Sequence, residues 1–193
     1  MDWQYEASTE FGDMICRPLT SDRFADMKEV FGDKGVARGC FCMHWRRPDG
    51  GYTDERDNME RFAAVISDEH PPGLIGYIES GPVGWVQVGP RSDFPTLQRS
   101  KLLAAADDRL VWSINCFVVR TGHRKQGVGR GLLASAIEFA RFRGGETVEA
   151  YPVDGKRSSS VDYFTGTMSM FDSIGFTEVI RRNETRPMVR LDL

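Results

Sequence analysis

The chain has 193 residues, of which 40% are hydrophobic and 27% are charged, and its formal net charge is −3. This composition predicts one globular domain over residues 1–193 with a sizeable core, and the mild acidity argues against a nucleic-acid partner. No run of 18 apolar residues is present, so no membrane partner is expected. The polar, acidic start does not resemble a secretory signal, and the four cysteines are therefore expected to be reduced thiols of a cytoplasmic protein.

The N-terminal third of the chain predicts a strand and helices behind a loose leader. Ser21 is a typical helix-capping residue, and Gly35 is a typical helix end. Met59, Phe62 and Ile66 follow helical spacing ahead of a Pro-Pro pair. The predicted elements are a leader at 1–13, a strand at 14–20, a helix at 21–35, a strand at 40–45 and a helix at 53–70. Together, residues 14–70 are interpreted as the N-terminal strand and helices of the domain.

The remainder, residues 73–193, predicts a sheet with helices packed on it. Two β-like runs flank Ser80-Gly81, which is a hairpin signal, and the apolar, β-branched run at 110–119 is typical of a central strand. The predicted elements are a hairpin at 73–89, a short irregular helix and loop at 93–103, a strand at 110–119, a helix from 127 to 143, a strand at 147–153, a helix at 164–175, and strands at 176–182 and 187–193. This order predicts a mixed α/β (α+β) domain.

The stretch HRKQGVGRGLL at 123–133 places glycines and positive side chains at a predicted helix start. Unpaired N–H groups and the helix dipole attract anions there, and glycine lets an anion approach the backbone closely. A phosphate or pyrophosphate site is therefore predicted, with a ligand-free strand-to-helix turn as the alternative. A Walker loop does not fit, because Val128-Gly129 replaces its lysine and hydroxyl, and a dinucleotide fingerprint does not fit, because Leu132 takes its last glycine position.

Residues 124–129, RKQGVG, resemble the R/Q-x-x-G-x-G/A motif of the GNAT N-acetyltransferase superfamily. The strand CFVV before the motif and the amphipathic helix after it also match, and MFDSIGF resembles the family's Y-x-x-x-G-F helix end. The resemblance covers about residues 76–176 and implies a GNAT-like single domain with a strongly bent, mixed, largely antiparallel sheet flanked by helices. It implies an N-acetyltransferase that uses acetyl-CoA as co-substrate, and no metal is expected. The acetyl group would pass directly, without a covalent enzyme intermediate, to an amine of a small molecule or peptide.

The resemblance also assigns a CoA site within residues 73–193. The backbone N–H groups from 126 to 131 would hold the pyrophosphate, and the strand before the motif would pair with pantetheine through its exposed edge. A backbone N–H near Val119 would polarise the thioester carbonyl. The implied CoA-binding residues are Phe117, Val118, Val119, Arg124, Lys125, Gln126, Gly127, Val128, Gly129, Arg130 and Gly131.

The acid and base that the family uses are not preserved at their usual positions. The motif's tyrosine position holds Phe171, which carries no proton, and the nearest phenol is Tyr163, either as the acid or as a loop residue. Where many family members have a glutamate on the central strand, this chain has Ser113 and Asn115, which could position a water. Tyr163 and Asn115 are therefore the candidate catalytic residues. The alternatives are a non-catalytic CoA-binding sensor and an acyltransferase for a longer acyl-CoA.

The segment CFCMHW at 40–45 has three interpretations. Its cysteines and histidine would share one face of a strand and, with Cys16, could be imagined as zinc ligands, although structural zinc sites usually have wider, loop-borne spacing. Packing is the more usual role of such cysteines. In the third interpretation the segment lines the acceptor pocket. The candidate pocket residues are His44, Trp45 and Trp85, the last of these with a core position as its alternative. The sequence leaves the oligomeric state open, a homodimer included.

Overall fold

An eight-stranded sheet with helices on both faces is the framework of the computed structural model, which describes residues 2–32, 35–36, 39–47, 55–67, 69–79, 81–156 and 159–193. The strands are β1 (Tyr5–Thr9), β2 (Gly12–Pro18), β3 (Gly73–Ile78), β4 (Gly81–Pro90), β5 (Trp112–Val119), β6 (Thr147–Ala150), β7 (Thr177–Ile180) and β8 (Met188–Asp192). The helices are α1 (Phe24–Phe31), α2 (Glu55–Val65), α3 (Pro95–Arg99), α4 (Val128–Phe142) and α5 (Met168–Asp172), with short 3₁₀ turns at Ser21–Arg23, Arg91–Asp93 and Ser160–Tyr163.

The sheet is antiparallel except at one pair of strands. Its order is β1-β2-β3-β4-β5-β6-β8-β7, and β5 and β6 are the parallel pair. Parallel neighbours need a crossover connection, and α4 supplies it between β5 and β6. The predicted mixed, largely antiparallel sheet is confirmed.

Each face of the sheet is covered by its own apolar cluster. Leu132 of α4 packs on one face with Val86 of β4. The preceding residue, Trp85, points to the opposite face, because side chains alternate along a strand. There it meets Phe31 of α1 and Phe62 of α2, with ring centroids 6.3 and 5.8 Å away. Burial on both faces explains why β4 reads as an apolar run without alternation.

The predicted leader at 1–13 is wrong, because this segment forms an edge hairpin. β1 pairs with β2 in register from Tyr5↔Cys16 to Thr9↔Gly12. Gly12 has φ +106°, and Thr9 Oγ1 donates a hydrogen bond of 2.8 Å to its carbonyl. The half-buried residues of β1 alternate with exposed ones, as expected of a strand with one solvated face.

The strand predicted at 40–45 is also wrong. The segment is a series of turns in which Phe41 and Cys42 have φ values of +42° and +54°, so it cannot be extended.

The helix predicted at 164–175 is shortened to α5, and the one at 21–35 to a 3₁₀ turn and α1. The other predicted strands, the hairpin around position 81 and α4 are confirmed within a few residues. Among the described residues, no helix is long and apolar enough to cross a membrane.

Candidate active site

A gap between β5 and β6 opens the sheet. The parallel pairing ends at Ile114↔Ala150, whereas β5 stays paired with β4 as far as Gly84↔Val119. The register of β4 and β5 shifts beside Asn115, which is a β-bulge, and such bulges bend a strand away from its neighbour. The last residues of β5 therefore expose an edge.

The backbone of β5 sends alternate groups into this gap. Arg120 N–H donates to the Val83 carbonyl of β4, so by alternation Val119 directs its N–H and C=O away from β4. Arg124 Nε accordingly donates to Val119 O at 3.0 Å. Phe117 faces the same way, but the Phe164 carbonyl already accepts its N–H at 2.6 Å.

This geometry corrects part of the predicted strand pairing. Val118 turns its backbone toward Trp85 of β4, so it contributes no backbone group to the gap. The N–H of Phe117 is already used, and its carbonyl is left for a ligand. The N–H of Val119 is the donor that the strand directs into the gap.

The glycine-rich turn lies where α4 begins. Gly127 is the residue before the helix, with φ +86°, a backbone conformation that an L side chain would strain. The first helical hydrogen bond of α4 runs from the N–H of Gly131 to the carbonyl of Gly127 at 3.0 Å. The N–H groups of Val128, Gly129 and Arg130 therefore have no acceptor inside the helix.

Three residues of the predicted phosphate motif have other positions or roles. Gly131 uses its N–H within α4, and a Cβ there would lie 2.6 Å from Met14 Cε, so this glycine permits close packing on β2. The Val128 side chain is buried in the core. Gln126 accepts a hydrogen bond of 3.2 Å from the N–H of Glu10 and does not line the cavity described next.

A cavity of about 780 Å³ joins the exposed edge of β5 to the start of α4. Its size falls within the roughly 300–1,000 Å³ of small-molecule sites. It is lined by Glu10, Val36, Cys40, Cys42, His44, Trp45, Cys116, Phe117, Val118, Val119, Arg124, Lys125, Gly127, Gly129, Arg130, Tyr163, Phe164, Gly166, Thr167, Ser169 and Met170. Positive side chains thus lie at the α4 end, and aromatic rings and thiols line the β5 wall.

The turns at 39–47 form one wall of this cavity. Trp45 is buried and donates its indole N–H to the backbone carbonyl of Asn115 at 2.9 Å. His44 is exposed and also lines the cavity. Trp85 lies in the core, where its indole N–H donates to Cys42 Sγ at 3.0 Å, so it does not belong to the pocket.

The cysteines of this wall do not form the imagined zinc site. Cys16 lies in the core on β2, and burial raises the pKa of its thiol to about 12. Cys42 packs against Cys116, with sulfur atoms 3.2 Å apart. Within the described ranges, no group of three or more His, Cys, Asp or Glu side chains is arranged to hold a metal ion.

A buried polar network closes the base of the gap, where β5 and β6 are still paired. Glu149 of β6 is fully buried and accepts hydrogen bonds from Arg190 Nε at 2.9 Å and from the Tyr151 hydroxyl at 2.7 Å. Arg91 forms an ion pair with the same carboxylate. Ser113 Oγ lies 2.9 Å from the Tyr151 hydroxyl, so this serine belongs to the network and not to the cavity.

The predicted catalytic residues have different environments. Asn115 is fully buried and does not line the cavity, and its side-chain amide has no hydrogen-bond partner in the described part of the chain. Tyr163 lines the cavity at the end of a 3₁₀ turn, and its hydroxyl is 3.4 Å from the Gly155 carbonyl. Phe171 is fully buried against Phe117 and Phe176, as core packing requires.

Several cavity residues were missed from the sequence. Glu10 belongs to the edge hairpin, where the sequence analysis predicts a leader. The alternation Tyr-Glu-Ala-Ser-Thr followed by Gly12 is the sequence signal for this hairpin. Thr167, Ser169 and Met170 line the cavity from the start of α5. The sequence carried no signal for them, because they meet the α4 loop only in the folded chain.

The sequence model of the acetyltransferase (GNAT) family matches residues 40–165, well over half of the chain. The chain belongs to the acetyltransferase (GNAT) family. No curated protein sequence significantly matches the chain.

Solved structures share the fold of this GNAT protein at low sequence identity. The GNAT domain of S. lividans PAT is 17% identical, with a TM-score of 0.61 over 99% of this chain and 97% of that one. The Salmonella typhimurium protein yncA, solved with its cofactor acetyl-CoA, is 18% identical, with a TM-score of 0.53 over 93% of this chain and 94% of that one. The paia N-acetyltransferase of Thermoplasma acidophilum, solved with coenzyme A, is 14% identical, with a TM-score of 0.50 over 93% and 99%.

Proposed function

We propose that the protein transfers the acetyl group of acetyl-CoA directly to the amine of a small molecule or peptide. The observation that carries this proposal is the cavity that runs without interruption from the exposed edge of β5 to the α4 N-terminus. The start of α4 fits a pyrophosphate. A Cβ on Gly129 would meet only Met170 Sδ, at 3.6 Å, so the space beside this glycine is open to an anion. When bound, acetyl-CoA supplies a thioester carbonyl and a thiolate leaving group.

Some groups of the chain bind the CoA pyrophosphate, and others act on the thioester. The free N–H groups at the start of α4, together with Arg124, Lys125 and Arg130, attract the pyrophosphate. The N–H of Val119 stabilises negative charge that develops on the carbonyl oxygen. Trp45 and its aromatic neighbours exclude water from the other end.

Acetyl-CoA is expected to raise the melting temperature of the protein. A ligand at 100 times its dissociation constant stabilises the folded state by about 2.7 kcal/mol, which corresponds to roughly 5–10 °C for a chain of this size. Differential scanning fluorimetry with acetyl-CoA and CoA measures the shift. Pantetheine, which lacks the pyrophosphate, is the control and should give a smaller one. An unchanged melting curve with millimolar acetyl-CoA contradicts the proposal.

A CoA-binding sensor is the second candidate, because buried Phe171 replaces the tyrosine of the family's motif. Release of CoA thiol in the presence of a panel of amines separates the two. The enzyme is expected to release CoA faster when an accepted amine is added. Binding of acetyl-CoA without amine-dependent release by any panel member would support the sensor instead.

Tyr163→Phe tests whether this phenol protonates the departing thiolate. The change deletes one hydroxyl at the cavity wall, and positioned proton transfer typically contributes about 10²–10⁴-fold, so we expect kcat to fall by roughly that range. Acetyl-CoA affinity and melting temperature should hardly change. Tyr5→Phe, on edge strand β1 outside the cavity, is the matched control. Near-normal turnover of Tyr163→Phe would exclude this tyrosine as the acid.

A further inference from the structure

The turns at 39–47 are fixed to the central strand of the sheet. The indole of Trp45 is hydrogen-bonded to the backbone of β5, and Cys42 Sγ touches Cys116 on the same strand. Gln87 of β4 adds a hydrogen bond of 3.1 Å to the Cys42 carbonyl. Because the segment is bonded to both β4 and β5, it has a defined position relative to the exposed edge of β5.

His44 lies within this anchored segment and beside that edge. Its ring makes edge contacts with Trp45, at a centroid distance of 4.6 Å, and with Phe164, at 5.9 Å. The Phe164 carbonyl is the group that accepts the N–H of Phe117 on β5. Thr96 Oγ1 donates to the backbone carbonyl of His44 at 3.0 Å. The imidazole is therefore held between two aromatic rings at the wall where an acceptor would enter.

Three other titratable groups of the lining are poorly suited to accept a proton there. Burial raises the pKa of Cys40 to about 11, and burial also raises the pKa of Cys42, with Cys116 adding to the effect. Both thiols are thus protonated at neutral pH. Glu10 lies at the phosphate end, tied through its N–H to Gln126.

His44 itself is neutral at pH 7. Its side chain is exposed to the cavity, yet enough protein surrounds the ring to lower its pKa, and the positive charge of Arg186 lowers it further. Arg186 is held near by a hydrogen bond of 3.0 Å to Thr165 Oγ1 and lies 6.0 Å from the centroid of the Phe164 ring. The nearby thiol of Cys40 is uncharged and does not offset this effect.

We propose that His44 is the catalytic base that accepts the proton of the attacking amine. The inference rests on the proposed acetyl transfer. The amine lone pair forms the C–N bond, the C–S bond breaks with its electron pair on sulfur, and the amine proton passes to the free ring nitrogen of His44. The thiolate takes a proton from the Tyr163 hydroxyl, which solvent reprotonates, or from solvent directly. The products are the acetamide and CoA, and His44 returns to its neutral form by losing its proton to solvent.

The kinetic test compares His44→Gln with His70→Gln, whose exposed histidine lies outside the cavity. The acceptor is the panel amine with the highest kcat/KM, or hydroxylamine if no panel amine is used. His44→Gln is expected to lower kcat/KM by about 10²–10⁴-fold, while the thermal shift with acetyl-CoA is retained. The ratio of wild-type to variant kcat/KM cancels the titration of the amine and should fall tenfold per pH unit below the pKa of His44. His70→Gln should match the wild type.

Two further readouts distinguish a base from a structural residue. Added imidazole should restore turnover to His44→Ala, and it should not change His70→Gln. In an NMR titration of the ligand-free protein, the His44 signal is the one of three histidine signals that His44→Gln lacks. Its pKa should lie below the usual value of about 6.5, and it should be higher in Arg186→Gln than in the wild type.

The outcomes distinguish a failure of the His44 assignment from a failure of the proposed acetyl transfer. If the wild type releases CoA to no amine, hydroxylamine included, the proposed acetyl transfer fails and His44 with it. If the wild type is active but His44→Gln keeps its rate within twofold, or its rate ratio is independent of pH and imidazole gives no rescue, His44 is not the base and acetyl transfer stands. An NMR pKa of His44 at or above 6.5 also overturns the assignment.

Discussion

Gly129→Glu is expected to abolish detectable CoA binding while leaving the fold intact. The new carboxylate would sit at the start of α4, within a few ångströms of the bound pyrophosphate, where like charges repel by about 4 kcal/mol at an effective dielectric constant near 20. That energy corresponds to roughly a thousandfold loss of affinity. The backbone accepts a side chain here, because Gly129 has no positive φ and a Cβ would meet only a flexible methionine at 3.6 Å. Isothermal titration calorimetry with CoA measures the loss.

Gly129→Ala is the matched control for this substitution. It adds the same Cβ without charge, so circular dichroism and most of the CoA affinity should be retained. A native circular dichroism spectrum of Gly129→Glu with wild-type CoA affinity would remove the phosphate role from this turn.

Glu149→Ala is expected to be the most destabilising single change outside the apolar clusters. It leaves the charge of Arg91 without its carboxylate partner and leaves Arg190 with Asp107 alone, and breaking a buried ion pair in this way costs about 3–5 kcal/mol. The melting temperature should fall by roughly 6–20 °C. Because Glu149 pairs in register with Ser113 at the base of the gap, weaker acetyl-CoA binding should accompany the loss.

Glu138→Ala is the control, because Glu138 forms an ion pair with Arg141 on the exposed face of α4. Exposed pairs contribute about 0–1 kcal/mol, so this variant should melt close to the wild type. Thermal unfolding followed by circular dichroism compares the two. Equal melting temperatures for Glu149→Ala and Glu138→Ala would mean that the buried network does not hold the strands.

Local signals in the sequence were enough for the central part of the fold. The apolar run of β5, the glycine turn and the amphipathic stripe of α4 each carry their own periodicity, and the structure has them where they were predicted. The strand prediction for 40–45 failed because Phe41 and Cys42 have left-handed backbone conformations, and the segment packs onto β5 as turns through side chains such as Trp45. Such turns are decided by tertiary contacts, which local spacing does not encode.

Site residues on one continuous segment could be predicted from the sequence, and those brought together by the fold could not. Arg124, Lys125 and Gly129 lie on one continuous segment, so their proximity could be predicted from spacing alone. Glu10 and Thr167 reach the cavity from segments far from the α4 turn in the chain, and no local pattern predicts that they meet it in the folded protein. Trp85 was open to two interpretations because a central strand buried on both faces offers no polar side to orient it.

The most direct test of the account is a crystal structure of the protein with acetyl-CoA bound. The pyrophosphate is predicted to accept hydrogen bonds from the N–H groups of Val128, Gly129 and Arg130, and the thioester carbonyl from the N–H of Val119. The acetyl group should then face the wall formed by His44 and Trp45. Acetyl-CoA bound elsewhere on the protein, or a pyrophosphate away from the start of α4, would contradict the account.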